Sequence, residues 1–251
     1  MGHLRGEADA TVREDGLGDF KRQRGRTADE ITRRLVRAVF EHRLPPGTRI
    51  TEDKLSRTFG VSRTLARQAT SQLCEMGVFV KKPNYSCTVA HPSREDAQAL
   101  IDARRMVEPE LIRQIVRSAN ASDLRLLDEH LALEQEARLT GDRSQLIRLT
   151  GEFHLKLAEL ARNPYLASFM MRLQVLTCLA ILVHADGETG CPRDEHADIV
   201  QKIKSRDSEG AVQLMLAHLQ HIESELRLEE VRPGRQLEDT FRWLAGEIDA
   251  G

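Results

Sequence analysis

The stretch Thr51 to Ala90, TEDKLSRTFGVSRTLARQATSQLCEMGVFVKKPNYSCTVA, decides the fold of the N-terminal part of the chain. Gly60 is placed to end one short helix in a left-handed cap, and Ser62 to accept hydrogen bonds from the free N–H groups that open the next. Gly77 closes that second helix, which is expected over Arg63 to Met76. Along it Leu65, Ala69, Leu73 and Met76 recur at helical steps, so one stripe faces a core. Arg63 and Arg67 lie on the other side, one turn apart. Two guanidinium groups at the N-terminal end of an exposed helix can reach guanine O6 and N7, or phosphate oxygens, when such a helix enters a major groove. Ser62 and Thr64 add short donors for phosphates. On any surface helix two arginines are ordinarily a solvated face, so it is the ordered context that gives them meaning.

Upstream, Thr27 with Glu30 has capping-box form, and Ile31, Leu35 and Val39 follow at helical spacing as far as the Leu44-Pro45-Pro46-Gly47 break. Downstream, Val78-Phe79-Val80 and Cys87-Thr88-Val89 are β-prone runs on either side of Lys81 to Ser86, which holds Pro83 and Asn84. They predict a two-stranded hairpin whose loop begins with Lys81 and Lys82, two cations able to lie along a phosphate backbone or minor groove. Three helices and a hairpin in this order make a winged helix-turn-helix over residues 27–90.

Charge divides the chain more sharply than its net −2 suggests. Residues 20–90 carry 15 Lys and Arg against 6 Asp and Glu, a balance of +9, whereas residues 91–251 carry 20 against 28, a balance of −8. A basic head on an acidic body is the distribution expected when one domain meets nucleic acid and the other does not. Residues 1–26, rich in Gly, Asp, Glu and Arg, are expected to form a disordered arm that closes on Lys21-Arg22-Gln23-Arg24-Gly25-Arg26. The N-terminus has no apolar signal segment and the most apolar run, Val175 to Val183, is shorter than the roughly 20 residues that cross a bilayer. A cytoplasmic protein with no membrane partner is expected. Cys74, Cys87, Cys178 and Cys191 show no C-x-x-C spacing and read as reduced thiols.

After the linker Ala90-His91-Pro92 every segment reads as helix: 94–118, 123–139, 143–161, 165–184, 194–206 and 209–229. Ser93 and Ser122 are candidate N-caps, Asn163-Pro164 and Cys191-Pro192 break helices, and short loops imply antiparallel neighbours. The expected architecture is mainly α: the winged helix-turn-helix, then an all-α bundle of about six helices over residues 93–230. Residues 231–251 form a C-terminal extension, with Leu237 to Ile248 amphipathic.

These pieces together resemble the GntR family of bacterial regulators, with a body similar to its FadR-type C-terminal (FCD) domain. The resemblance rests on Leu44-Pro45-Pro46-Gly47-Thr48-Arg49-Ile50, on Gly60-Val61-Ser62-Arg63-Thr64 with Arg67, and on Ala103-Arg104-Arg105 with Glu108. Phe153-His154, Asn163-Pro164, Glu195-His196 and His218-Leu219 extend it through the body. It implies a homodimeric transcription factor that binds double-stranded operator DNA and a small organic acid, with repression relieved by that ligand. The resemblance also implies a metal held by an aspartate and three histidines. His154, His196 and His218 fall at the histidine positions, but Thr150 stands where the aspartate belongs, and Glu152 points to another helical face. Either a three-histidine Zn or Ni site survives, with water in the vacant place, or the pocket works without metal and the histidines are packing residues. His221, a turn after His218, is expected near the rim. The resemblance places Arg104 toward the cavity, where a planar guanidinium can hold a carboxylate; a salt bridge to Asp102 or Glu108 is the alternative. Arg105 is expected to be exposed. In the head, Leu65 replaces a frequent proline, Gln68 a usual acid, and Ser86 the wing's usual glycine, which bears on the shape of the tip. A competing reading is a metal-dependent hydrolase or isomerase built on the three histidines, although no convincing acid or base accompanies them and it leaves the basic head unexplained.

Overall fold

Thr27 opens the first helix by accepting the Glu30 N–H at 3.2 Å, and α1 (Ala28–Phe40) buries Ile31, Leu35, Val39 and Phe40 along one stripe. The computed structural model describes residues 27–82, 86–185 and 195–226. The expected arm at 1–26, the wing tip at Pro83 and Asn84, the break at Cys191-Pro192, and the extension at 231–251 lie outside the described residues.

A short strand, β1 (Arg49–Thr51), leads into α2 (Glu52–Phe59), which Gly60 ends at φ +60°. That left-handed turn costs a glycine nothing and aims the chain into α3 (Arg63–Glu75). Ser62 caps α3 through the Leu65 N–H at 3.2 Å, and its buried stripe is Ala66, Ala69, Thr70 and Leu73. The wing follows as β2 (Phe79–Lys82) and β3 (Ser86–Val89). The sheet is three-stranded rather than the expected two, antiparallel in the order β1-β3-β2, with Ile50 opposite Cys87 and Lys81 opposite Cys87 on the other edge. β1 escapes sequence reading because three residues carry no usable alternation; its pairing with β3, almost forty residues away in sequence, makes it a strand. Lys81 and Lys82 belong to β2 itself, not to the loop. Ser86 is likewise a strand residue, buried and paired with Thr51 and Lys82, outside the left-handed region.

The body is α4 (Arg94–Ser118), α5 (Ala121–Thr140), α6 (Arg143–Leu160), α7 (Pro164–His184), α8 (Glu195–Lys204) and α9 (Ser208–Glu225). Ser93 and Asp96 form a capping box at the start of α4. Asn120, not Ser122, caps α5, because its side chain accepts from both Ser122 and Asp123 and Asp123 returns the bond. The bundle core gathers Leu111, Ile115, Phe153, Leu157, Ile199, Met215 and Leu219 from four of these helices. α7 is long and apolar enough by composition to cross a membrane, with half of its most apolar window buried inside the molecule. Its Val175, Cys178 and Leu179 join the core of the head, while Met170 and Leu173 join that of the bundle. α7 therefore contributes to the cores of both head and body, at a place where local periodicity shows only an apolar helix.

Candidate functional site

On the head, Arg63 and Arg67 project from the first two turns of α3 with side chains 74% and 60% exposed. Neither is sealed against the body. Each pairs within the head: Arg63 Nη2 lies 2.7 Å from Asp53 Oδ1, and Arg67 Nε lies 3.1 Å from Glu52 Oε2. Exposed pairs of this kind contribute about 0–1 kcal/mol, so phosphates can displace them readily. Thr64 is exposed on the same turn, and Lys81 and Lys82 are exposed at the end of β2. Exposed cations thus stand both at the N-terminal turns of α3 and at the end of β2.

In the body, five helices converge on a cavity of about 60 Å³ whose lining includes Arg104, Thr150, His154, Gln174, His196 and His218. His154 stands on α6, His196 on α8 and His218 on α9, all three buried. Their Nε2 atoms face one another: 3.2 Å from His218 to His154 and 3.4 Å from His218 to His196. Each ring is held from behind by a glutamate. Glu108 Oε2 accepts from His154 Nδ1 at 2.6 Å, Glu134 accepts from His196 Nδ1 at 3.0 Å, and Glu195 Oε2 accepts from His218 Nδ1 at 2.7 Å. Phe153 stacks flat on His196 with centroids 3.9 Å apart, fixing that ring's plane.

The charges settle the tautomers. Burial would raise Glu108, but Arg104 and His154 outweigh it and hold the carboxyl at about 2. Glu134 is likewise held at about 2, where hydrogen bonds from His130 and His196 overcome burial. Burial first, helped by Arg104, pushes His154 down to about 3 against the pull of Glu108; burial also takes His218 down to about 4. Ionised carboxylates only accept, so the Nδ1 atoms carry the protons and the Nε2 lone pairs point inward. Three lone pairs turned on one point repel unless a cation sits between them. The spacing suits one, since a tetrahedral ion with bonds of about 2.0–2.1 Å to nitrogen has ligand edges of about 3.3 Å. Carboxylates on the far nitrogen of each imidazole are the usual outer support of such ligands. The donor set thus fits a divalent transition metal, and these three residues form the group able to hold one among the described residues.

Arg104 reconciles both expectations. It is fully buried, and its Nε donates to Glu108 Oε1 at 2.6 Å, while Nη1 and Nη2 are buried without a hydrogen-bond partner among the described residues. An unpaired guanidinium edge beside a cavity is a receptor for a carboxylate or similar anion. Asp102 pairs with Arg105 instead, and Arg105 is half-buried rather than exposed, tied to Glu223 of α9 as well. Thr150 lines the cavity but spends its hydroxyl on the Ile147 carbonyl at 2.9 Å, which leaves its family position without a charged ligand. Glu152 pairs with Arg148, away from the cavity lining. His221 is partly exposed at the cavity, bound to Glu195. Sequence reasoning missed Glu134, named Glu195 and Glu108 only as parts of the family resemblance, and gave neither its place behind an imidazole, taking Glu108 for a salt-bridge partner of Arg104. Only the adjacency of Glu195 to His196 offered any signal.

Residues 27–89 match the profile described as bacterial regulatory proteins, gntR family, and residues 99–221 match the FCD domain. The chain is 25% identical over 190 residues to YdhC of Bacillus subtilis, an HTH-type transcriptional regulator, covering 74% of this chain and 85% of that protein. It is 24% identical over 205 residues to the transcriptional repressor RspR of Escherichia coli, covering 79% and 88%. Among solved structures, E. coli McbR/YncC aligns with a TM-score of 0.71 at 21% identity, over 79% of this chain and 96% of that one. A GntR regulator from Rhodococcus sp. RHA1 aligns at 0.69 and 22% identity, over 79% and 96%.

Proposed function

Because the chain belongs to the GntR family of bacterial regulators and carries an FCD domain, a family of ligand-responsive DNA-binding transcription regulators rather than enzymes, we propose that it is a cytoplasmic homodimeric repressor released from its operator by a small organic acid. The hydrolase or isomerase alternative falls with that membership. In this reading residues 27–90 read DNA and residues 93–230 sense the ligand and dimerise. Arg63 and Arg67 reach base edges and phosphates, Ser62 and Thr64 hold phosphates, and Lys81 and Lys82 follow the backbone beside the wing.

The observation that carries the sensing half is the pairing of two unmet demands around one cavity: three inward Nε2 lone pairs and the bare Nη edge of Arg104. His154, His196 and His218 would hold a Zn or Ni ion, which offers an open coordination position to an anionic ligand. Arg104 would then bind a carboxylate of that ligand, while Glu108 keeps Arg104 and His154 aligned. DNA and ligand oppose each other if the ligand prefers the arrangement of heads that does not fit the operator, and linkage makes the effect mutual.

The test is a gel shift with an operator duplex selected from a random library, run with a panel of small mono- to tricarboxylates in the presence of zinc. At least one acid is expected to weaken binding by wild type and not by Arg104→Met. A response that survives in Arg104→Met removes that residue from the ligand site.

A further inference from the structure

The cavity is not enclosed by the body alone. His42, which follows the last turn of α1 in the head, lines it together with Thr150, Gly151, Gln174 and Cys178. Three consecutive head residues meet the body at this wall. The Phe40 ring lies so close to Gly151 that a Cβ there would stand 2.8 Å from Phe40 Cδ1, closer than real Cβ contacts come. Glu41 is buried and held by Arg37 and Arg43 of the head, and Arg148 of α6 reaches it at 3.4 Å. His42 turns at φ +56°, the left-handed conformation that ends a helix, as Arg162 and Arg206 do after α6 and α8.

On α6 the face carrying Arg148 and Gly151 meets the head, while Thr150 and His154, within the same two turns, face the cavity. Gly151 belongs to both. α7 repeats the pattern, since Cys178 lines the cavity and is also part of the head's core. Whatever fills the cavity therefore presses on helices that carry the head, and on His42 directly.

We propose that the ligand cavity is an interdomain site, walled on one side by the Phe40-Glu41-His42 turn of the DNA-reading head, with His42 contacting the occupant and relaying its presence to the head. The inference rests on reading this cavity as the sensing site. It assigns to the head a ligand-contacting residue, so that occupancy and head position are set by the same side chain.

The experiment needs no knowledge of the natural ligand. Thr150→Leu adds bulk into the cavity in place of an occupant, and DNA affinity is read by fluorescence anisotropy on the library-selected operator duplex. We expect Thr150→Leu to change the dissociation constant at least fivefold in the native background and less than twofold when combined with His42→Ala. No effect of Thr150→Leu, or an equal effect with and without His42, overturns the proposal. Should Thr150→Leu fail to fold by circular dichroism, Ile147→Phe, from the same lining, enters the same cycle. Zinc stoichiometry of the wild type separates the two readings: zinc bound without the His42-dependent coupling sinks this inference alone, and coupling without zinc sinks the metal reading alone.

Discussion

Glu108 serves two partners with its two oxygens, Arg104 through Oε1 and His154 through Oε2, and all three are buried. A charge so placed depends on its counter-charge. Arg104→Met, which leaves the carboxylate stranded, is expected to lower unfolding free energy by about 3–5 kcal/mol in urea, whereas Arg104→Met combined with Glu108→Gln loses much less. Comparable losses in the single and double variants would mean that the pair is not a coupled unit. Glu134 has a subtler role, orienting His196 from behind. Glu134→Gln should weaken zinc by about 10–100-fold in a chelator competition while leaving one zinc per chain at saturation. His154→Ala should lose the zinc. Cys87 and Cys178, both buried and pushed up to about 12 chiefly by that burial, should resist iodoacetamide at pH 8 until the protein is unfolded. Glu134 lay beyond sequence reading for a physical reason: it and His196 are 62 residues apart, and no local pattern joins them.

At the scale of the element, α3 was the most legible part of the chain, because its limits are set by groups within a few residues. Ser62 caps it, and the glycines at 60 and 77 take φ +60° and +75° on either side of it. Arg63→Ala and Arg67→Ala are each expected to cost about 1–3 kcal/mol of operator affinity by anisotropy, with circular dichroism unchanged. If both variants bind like wild type, another surface reads the DNA. On the opposite stripe, Leu73→Ala should cost about 2–5 kcal/mol of stability by leaving a cavity in the core of the head. β1 was missed and the lysine pair was assigned to the wrong element, because strand limits depend on a partner strand rather than on a local cap. The first residue of α5 was displaced from 123 to 121 by the competition between two capping residues two positions apart, which Asn120 wins through its reciprocal bonds with Asp123.

Over the whole molecule, the basic head and acidic body make the salt dependence of DNA binding a property of the head alone. Lys81→Ala should lower the slope of log affinity against log salt by about 1, and neutralising an exposed body charge such as Glu159 should leave it unchanged. Periodicity, capping residues and charge by themselves determined the helical body and the helix-turn-helix with its exposed arginines, because each is written in neighbours three or four residues apart, whereas the three histidines were picked out by the family resemblance. Tertiary structure decided which glutamate stands behind each imidazole, that Arg104 keeps an unpaired edge toward the cavity, and that a residue of the head completes its wall. Those outcomes arise where helices distant in sequence pack against one another, and pairing across such distances is chosen by the shape and charge of the assembled interior rather than by any local preference of the chain.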